Sequence, residues 1–189
     1  ELGHRLVRAR LAEIEEQTNP LLLPQEAARS ALEEADPGLA GLAGYLRRTG
    51  GFPVYRNSGA SYYPTGEEAF AAILEELEKA ERFIFLEYFI IDEGYMWGRI
   101  LKLLEEKAAA GVEVRVLYDG TCALYKLPYQ YPRQLEELGI RCRMYAPLRP
   151  LASTHYNNRD HRKILVADGR CAFTGGINLA DEYINRTHP

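Results

Sequence analysis

Two polar residues with complementary chemistry, His161 and Lys163, lie two positions apart in a run that favours a β-strand, residues 161–167. Side chains two positions apart on a strand project from the same face of the sheet. The imidazole can attack phosphorus or carry a proton near neutral pH. The ammonium group can balance the charge on the non-bridging oxygens of a phosphate. The pair therefore predicts catalysis at a phosphate diester.

Residues that suit anion binding follow this pair. Gly175 and Gly176 let the backbone approach an anion closely, and the Asn178 amide can donate to a phosphate oxygen. Asp168 precedes Gly169, and it either forms a tight turn there or helps to order the catalytic residues. The predicted catalytic residues are His161, Lys163 and Asp168, and the predicted phosphate-binding residues are Asn178, Gly175 and Gly176.

Glu87 and His155 are weaker candidates. Glu87 interrupts an apolar run, and because a buried carboxylate needs a partner it either orients a histidine or is an ordinary paired core residue. His155 is interpreted as a loop residue, since no regular spacing presents it to a metal ion together with Asp160 and His161. The three cysteines form no CxxC pair. We predict neither a metal site nor a cofactor.

Alternating strand and helix patterns must position these residues. Thr65 begins a helix with a capping box. Strands are predicted at residues 83–91, 112–118 and 140–145, with helices between them, and a hairpin is predicted from strands 161–167 and 170–174. Successive strand and helix units favour right-handed crossovers. The predicted fold class is therefore α/β, with a mostly parallel central sheet flanked by helices.

The first 51 residues differ from the rest. They contain three short amphipathic helical patterns and end at Gly50 and Gly51. We therefore predict a helical N-terminal segment or linker at residues 1–51 and an α/β domain at residues 52–189. A strand is expected at Pro53–Arg56, at the start of that domain.

The composition excludes several classes of protein. Hydrophobic residues make up 47% and charged residues 26%, with a net charge of -4, which is typical of a soluble globular protein. The acidic balance, with no basic tract, does not favour a nucleic-acid partner. No apolar run reaches the roughly 20 residues that a membrane span requires. The chain begins at Glu1 without a methionine, so we expect a piece of a longer protein.

The pattern His161, Lys163, Asp168, then Gly175-Gly176 and Asn178, resembles the signature of the phospholipase D superfamily, His-x-Lys-x4-Asp followed by two small residues and Asn. The flanking runs, at residues 156–160 and 177–183, are similar to those of bacterial cardiolipin synthases. Residues 86–88 and 112–119 share this likeness. The resemblance therefore extends from about Phe52 to the end of the chain.

The resemblance implies a phospholipase D-like sandwich with two such motifs facing each other and no metal or cofactor. One histidine attacks phosphorus to form a phosphohistidine, and the other protonates the leaving alcohol. In cardiolipin synthases a phosphatidylglycerol hydroxyl accepts the phosphatidyl group, which yields cardiolipin and glycerol. The implied partner is anionic phospholipid at the membrane surface.

This chain contains one motif, so it is expected to supply one half-site. The second motif is expected in a C-terminal half or in a homodimer partner. Two alternatives remain open, a dimeric single-motif phosphodiesterase or nuclease and a catalytically silent interaction module. The full-length protein is expected at the membrane with a cytoplasmic catalytic domain, whereas this segment alone is expected to be soluble.

Overall fold

A computed structural model describes residues 2–22, 26–56, 58–147 and 159–186. The chain forms two compact units, residues 1–61 and residues 62–189. The helices of the first unit end at Gly50, close to the predicted end of the helical segment at residue 51. The division into a linker and a domain at that point stays a prediction.

The first unit is helical, as its amphipathic patterns predict. It contains α1 (Leu2–Thr18), a short 3₁₀ turn (Asn19–Leu21), α2 (Glu26–Ala35) and α3 (Pro37–Gly50). The Asp36 side chain caps α3 by accepting from the Leu39 N–H, and Gly51 ends it with a left-handed φ of 76°. The strand expected at Pro53–Arg56 is wrong, because these residues form no regular structure and the described strands pair only with one another.

The second unit alternates strands and helices. Its elements are α4 (Gly66–Glu78), β1 (Phe83–Tyr88), α5 (Tyr95–Ala109), β2 (Glu113–Asp119), α6 (Cys122–Tyr125), α7 (Tyr131–Glu137), β3 (Arg141–Tyr145), β4 (Lys163–Ala167), β5 (Cys171–Thr174) and a 3₁₀ turn (Asp181–Ile184). Thr65 caps α4, since its hydroxyl oxygen accepts from the Glu68 N–H at 3.3 Å. The Glu68 carboxylate accepts from the Thr65 hydroxyl at 3.2 Å, so the predicted capping box is completed through the side chain of Thr65.

The described strands form one sheet in the order β3-β2-β1-β4-β5. The pairs β1–β2 and β2–β3 are parallel, whereas β1–β4 and β4–β5 are antiparallel. Four of the five strands therefore run in one direction, which confirms the mostly parallel α/β sheet. Because β4 alone is reversed, its first residues lie beside the carboxyl end of β1, at the same end of the sheet as the carboxyl ends of β2 and β3.

Alternation along the strands separates a buried face from a partly covered one. On β1, Ile84, Leu86 and Tyr88 are buried against α4 and α5, which contribute residues such as Ile73 and Trp97. Each large apolar side chain that is fully buried contributes roughly 1.5–3 kcal/mol. The buried core therefore holds the sheet rigid behind the strand ends where the polar residues lie.

Candidate active site

His161 lies at the entrance to β4, with its imidazole exposed to solvent. The ring packs against the Phe89 ring, at 4.6 Å between centroids. Phe89 directly follows β1, and its N–H donates to the Arg162 carbonyl at 3.1 Å. The histidine is therefore supported on one side by an aromatic ring and open on the other.

Lys163 is buried, with 5% of the residue exposed, and its ammonium nitrogen donates to the His161 carbonyl at 2.7 Å. The same nitrogen lies 5.0 Å from the centroid of the Phe89 ring. Burial lowers the pKa of Lys163, and the nearby Asp160 carboxylate opposes this shift. The predicted pair is thus brought together around one aromatic ring, with the cation in a setting where its field is weakly screened.

Asn178 lies near the carboxyl end of β1, at the same end of the sheet as His161, and is buried, at 3% exposed. Its side-chain oxygen accepts from the Ile90 N–H at 3.0 Å, and its amide nitrogen donates to the Tyr183 hydroxyl at 2.7 Å. An amide nitrogen carries two hydrogens, so one donor is left beyond the bond to Tyr183. The role of Asn178 in phosphate binding stays a prediction.

Gly175 and Gly176 follow β5 and are exposed. A Cβ atom added at either position would meet no atom of the described residues within 4 Å. Packing among these residues therefore does not require glycine there, and they leave space in which a ligand can approach the backbone. Their predicted contact with phosphate stays a prediction.

Asp168 lies at the other end of β4, seven residues or about 23 Å of extended chain from His161. Its carboxylate accepts from the N–H groups of Glu81, Arg82 and Phe83 at 2.9, 2.8 and 2.9 Å. These backbone donors, that of Phe83 foremost, hold the pKa of Asp168 below its usual range. This geometry supports a structural role for Asp168, one of the two roles that the sequence left open, and its catalytic role stays a prediction.

Glu87 contacts Arg162 and Asp160 rather than the imidazole of His161. Its carboxylate lies 2.7 Å from the Arg162 guanidinium, which also donates to Asp160 at 2.8 Å. Burial raises the pKa of Glu87, and the neighbouring Asp160 carboxylate raises it further. Any influence of Glu87 on His161 is therefore indirect, through Asp160 and Arg162, the residues on either side of the histidine.

Sequence reasoning missed Phe89 and Asp119. Phe89 looked like one more residue of an apolar strand, and Asp119 looked like the end of another. Asp119 is fully buried and accepts from the Asp160 N–H at 2.9 Å. The signal that could have found them is position, because the carboxyl ends of neighbouring parallel strands are where α/β proteins place their functional groups.

His155 lies outside the described residues, as do the other residues from 148 to 158. Within the part of the chain that the structure describes, no group of three or more His, Cys, Asp or Glu residues is placed to hold a metal ion. In the same part of the chain, no helix has both the length and the apolar character needed to cross a membrane.

By its fold the chain is an α/β protein with a mixed five-stranded sheet. A family model described as "Cardiolipin synthase, PLD-like domain" matches residues 73–188. The chain therefore belongs to this phospholipase D-like family.

The chain is also similar to individual proteins. An uncharacterised protein of Streptococcus mutans is 48% identical over 184 residues, covering 97% of this chain and 40% of the relative. A cardiolipin synthase of Geobacillus thermodenitrificans is 41% identical over 140 residues, covering 74% of this chain and 28% of the relative. NucT from Helicobacter pylori superposes with a TM-score of 0.49 at 14% identity, over 65% of this chain and 74% of that one. The chain thus spans less than half the length of these two sequence relatives.

Proposed function

We propose that this chain supplies one half-site of a phosphatidyltransferase that makes cardiolipin from two phosphatidylglycerol molecules. The observation that carries the proposal is the pairing of His161 with Lys163 around Phe89, at one open edge of the sheet. Membership of the family adds the substrate class, because several relatives, at about 40% identity, are cardiolipin synthases. The proposal concerns the complete protein, of which this chain is a part.

The proposed reaction has two displacements at one phosphorus atom. A histidine nitrogen attacks the phosphorus of the first phosphatidylglycerol, so that an N–P bond forms and the P–O bond to the glycerol headgroup breaks. The departing glycerol oxygen takes a proton from the histidine of the opposing half-site. A headgroup hydroxyl of the second phosphatidylglycerol then loses its proton to that histidine and attacks, which breaks the N–P bond and gives cardiolipin.

His161 fills one of these two histidine roles, and Lys163 serves the phosphoryl oxygens. In the structure the Lys163 ammonium is occupied by the His161 carbonyl, 2.7 Å away, and a bound phosphate would compete for the same donor. A cation held in a partly dry setting stabilises the extra negative charge of the transition state more strongly than one in water. The second histidine must come from outside this motif.

The proposal is tested by giving the complete protein vesicles of phosphatidylglycerol and following the lipids by mass spectrometry. Cardiolipin and free glycerol should appear in equal amounts. Accumulation of phosphatidic acid without cardiolipin would instead show hydrolysis, and cleavage of DNA with no lipid turnover would favour the nuclease alternative. A protein inert toward both substrates would favour the silent module.

Turnover should be independent of divalent metal ions. The Lys163 ammonium and the remaining Asn178 amide hydrogen can supply the charge stabilisation that a cation would otherwise give. Cardiolipin formation should therefore keep its rate in excess EDTA. Loss of the rate on chelation, with recovery on adding back one particular divalent ion, would show that the site works differently.

A further inference from the structure

Asp119, the last residue of β2, has an unusually complete set of hydrogen bonds for a side chain that is 0% exposed. One carboxylate oxygen accepts from the Thr121 N–H and the Thr121 hydroxyl, each at 2.9 Å, and from Arg159 at 3.2 Å. The other oxygen accepts from the Asp160 N–H at 2.9 Å. A buried carboxylate requires such donors, and together they leave its orientation no freedom.

The bond to Asp160 joins β2 to the segment that leads into β4, a strand that is not its neighbour. β1 lies between β2 and β4 in the sheet. Neighbouring strands are about 4.8 Å apart, so β2 and β4 are separated by about 10 Å. The Asp119 carboxylate must therefore reach past the end of β1 to hold the chain that enters β4.

The chain around His161 is fixed on both sides. Before it, Asp119 holds the Asp160 N–H and the Arg159 guanidinium, and Arg159 also donates to the Ala146 carbonyl at 3.1 Å. After it, the Phe89 N–H holds the Arg162 carbonyl at 3.1 Å. The backbone at His161 is thus held by two anchors, and in the first of them the Asp160 N–H depends on a single carboxylate oxygen of Asp119.

We propose that Asp119 is a positioning residue for His161, acting through the backbone of Asp160 to keep the imidazole against Phe89 and within reach of the phosphorus. This inference rests on the proposed function, since it takes His161 to be a reacting group. A displacement of about 1 Å in a reacting group can cost about 10²-fold in rate. Asp119 itself touches no reacting atom.

The substitution that tests this role is Asp119→Asn in the complete protein. Whichever way the amide is turned, its NH₂ group faces a donor, either the Asp160 N–H or the three donors on the other oxygen. We expect kcat for cardiolipin formation to fall about 10- to 100-fold while KM stays within about threefold. A purely structural loss would lower the amount of folded enzyme and leave the kcat of the folded fraction unchanged.

A spectroscopic measurement separates this inference from the proposed function. The Phe89 ring, with its centroid 4.6 Å from that of the His161 ring, shifts the imidazole proton resonances, so these resonances report the imidazole position without any substrate. The His161 signals of the 189-residue chain, assigned with His161→Gln, should move in Asp119→Asn. If they move but His161→Gln leaves turnover intact, the positioning holds and the proposed function fails.

Two further variants make the result decisive. Thr121→Val removes one donor to Asp119 without touching the Asp160 N–H. It should keep kcat within about twofold of wild type and leave the His161 resonances near their wild-type positions. Arg159→Gln removes the charged donor to Asp119, and it replaces Asp119→Asn as the test variant if that variant fails to fold. It should lower kcat by a smaller factor and move the same resonances. Wild-type kcat and unmoved His161 signals in Asp119→Asn, or in Arg159→Gln if Asp119→Asn does not fold, would overturn the inference.

Discussion

At the scale of single residues, the aromatic ring of Phe89 explains how a buried lysine and an exposed histidine form one site. The ring packs on the imidazole at 4.6 Å and faces the Lys163 ammonium at 5.0 Å. It excludes water from one side of each group, in line with the burial that lowers the pKa of Lys163. The ammonium is consequently a weakly screened cation close to the histidine, and its hydrogen bond goes to the His161 carbonyl.

Removing the Lys163 charge should damage catalysis far more than removing a nearby surface charge. Lys163→Met keeps most of the apolar stem but loses the cation, and we expect kcat to fall about 10²–10³-fold. Lys126→Met is the matched control. Lys126 pairs with Asp92 at 2.6 Å on the surface and should matter little.

The measurement is the initial rate of cardiolipin formation by the complete protein. Lys163→Arg should recover only part of the rate, because the planar guanidinium does not fit the position of a compact ammonium group. A Lys163→Met enzyme that works as well as the Lys126→Met enzyme would remove Lys163 from the site.

The spacing of His161 and Lys163 could be read from the sequence because the period of a strand is local. Asp168 could not be assigned, since its role depends on N–H groups some 85 residues earlier, at Phe83 and its neighbours. Asp119 was missed for the same reason. Its partner Asp160 is 41 residues away, and no local pattern announces that contact.

At the scale of elements, the two ends of β4 have different roles: one end leads to the proposed catalytic residues, and the other is fixed to the start of β1. Its first end carries His161 and Lys163 at the open edge, and its last end leads into Asp168, which has a φ of 58°. Asp168 ties the β4–β5 turn to the three N–H groups that precede and begin β1. The registry between β1 and β4, with Tyr88 opposite Lys163, is thereby fixed from the end away from the site.

Asp168→Asn should therefore lower stability rather than kcat. An amide is neutral and has one acceptor oxygen, so all three backbone donors lose a charged partner and at least one of them loses its acceptor. Because the folded pKa of Asp168 is depressed, the carboxylate stabilises the fold above its unfolded pKa, about 3.9, and this contribution is lost as the pH falls through the folded value. The difference in melting temperature between the variant and the wild type should be constant near neutral pH and shrink below about pH 4.

The control is Glu81→Gln, which removes one negative charge from the same loop. Its melting temperature should stay close to that of the wild type. Thermal melts by circular dichroism across the acid range, with kcat measured on the folded variants, decide the matter. An Asp168→Asn protein with wild-type melting and a collapsed kcat would place Asp168 among the catalytic residues.

The sequence predicts the described elements well where the signals are short-range. The capping Thr65 and the hairpin turn at Asp168 both appear as local patterns. The place of β4 in the sheet does not, because its pairing with β1 is non-local and either edge of a parallel sheet was open to it. At Pro53–Arg56 the local pattern predicts a strand that does not form, because a strand also needs a partner and the described sheet does not include this run.

At the scale of the whole molecule, the sequence contains one His-x-Lys motif, whereas the proposed reaction uses two histidines. The described core closes behind the strand ends, yet the proposed reaction requires a second proton carrier. The chain covers 40% of one relative and 28% of another, so a longer protein has room for a second half. A second copy of this chain, related by a twofold axis, is the other source.

The isolated chain should therefore fold as a monomer and show little turnover, because losing the opposing general acid alone costs about 10²–10⁴-fold. If copies associate, an isologous dimer should regain phosphodiester cleavage. Light scattering and cleavage rates over one concentration series would show this, with activity rising in step with the dimer. A strictly monomeric chain with full transferase activity would place the second proton carrier within these residues.

Conversion of phosphatidylglycerol to cardiolipin by the complete protein carrying His161→Ala is the most direct test of the proposed site. Because the imidazole is exposed, its removal should leave the fold intact, and Tyr125→Ala, at a residue 83% exposed, is the matched surface control. We expect no cardiolipin above background from His161→Ala and a wild-type rate from Tyr125→Ala, since no other group can replace a covalent nucleophile or its proton partner. A His161→Ala protein that retains activity within about threefold of wild type would contradict the assignment of His161 to the reaction.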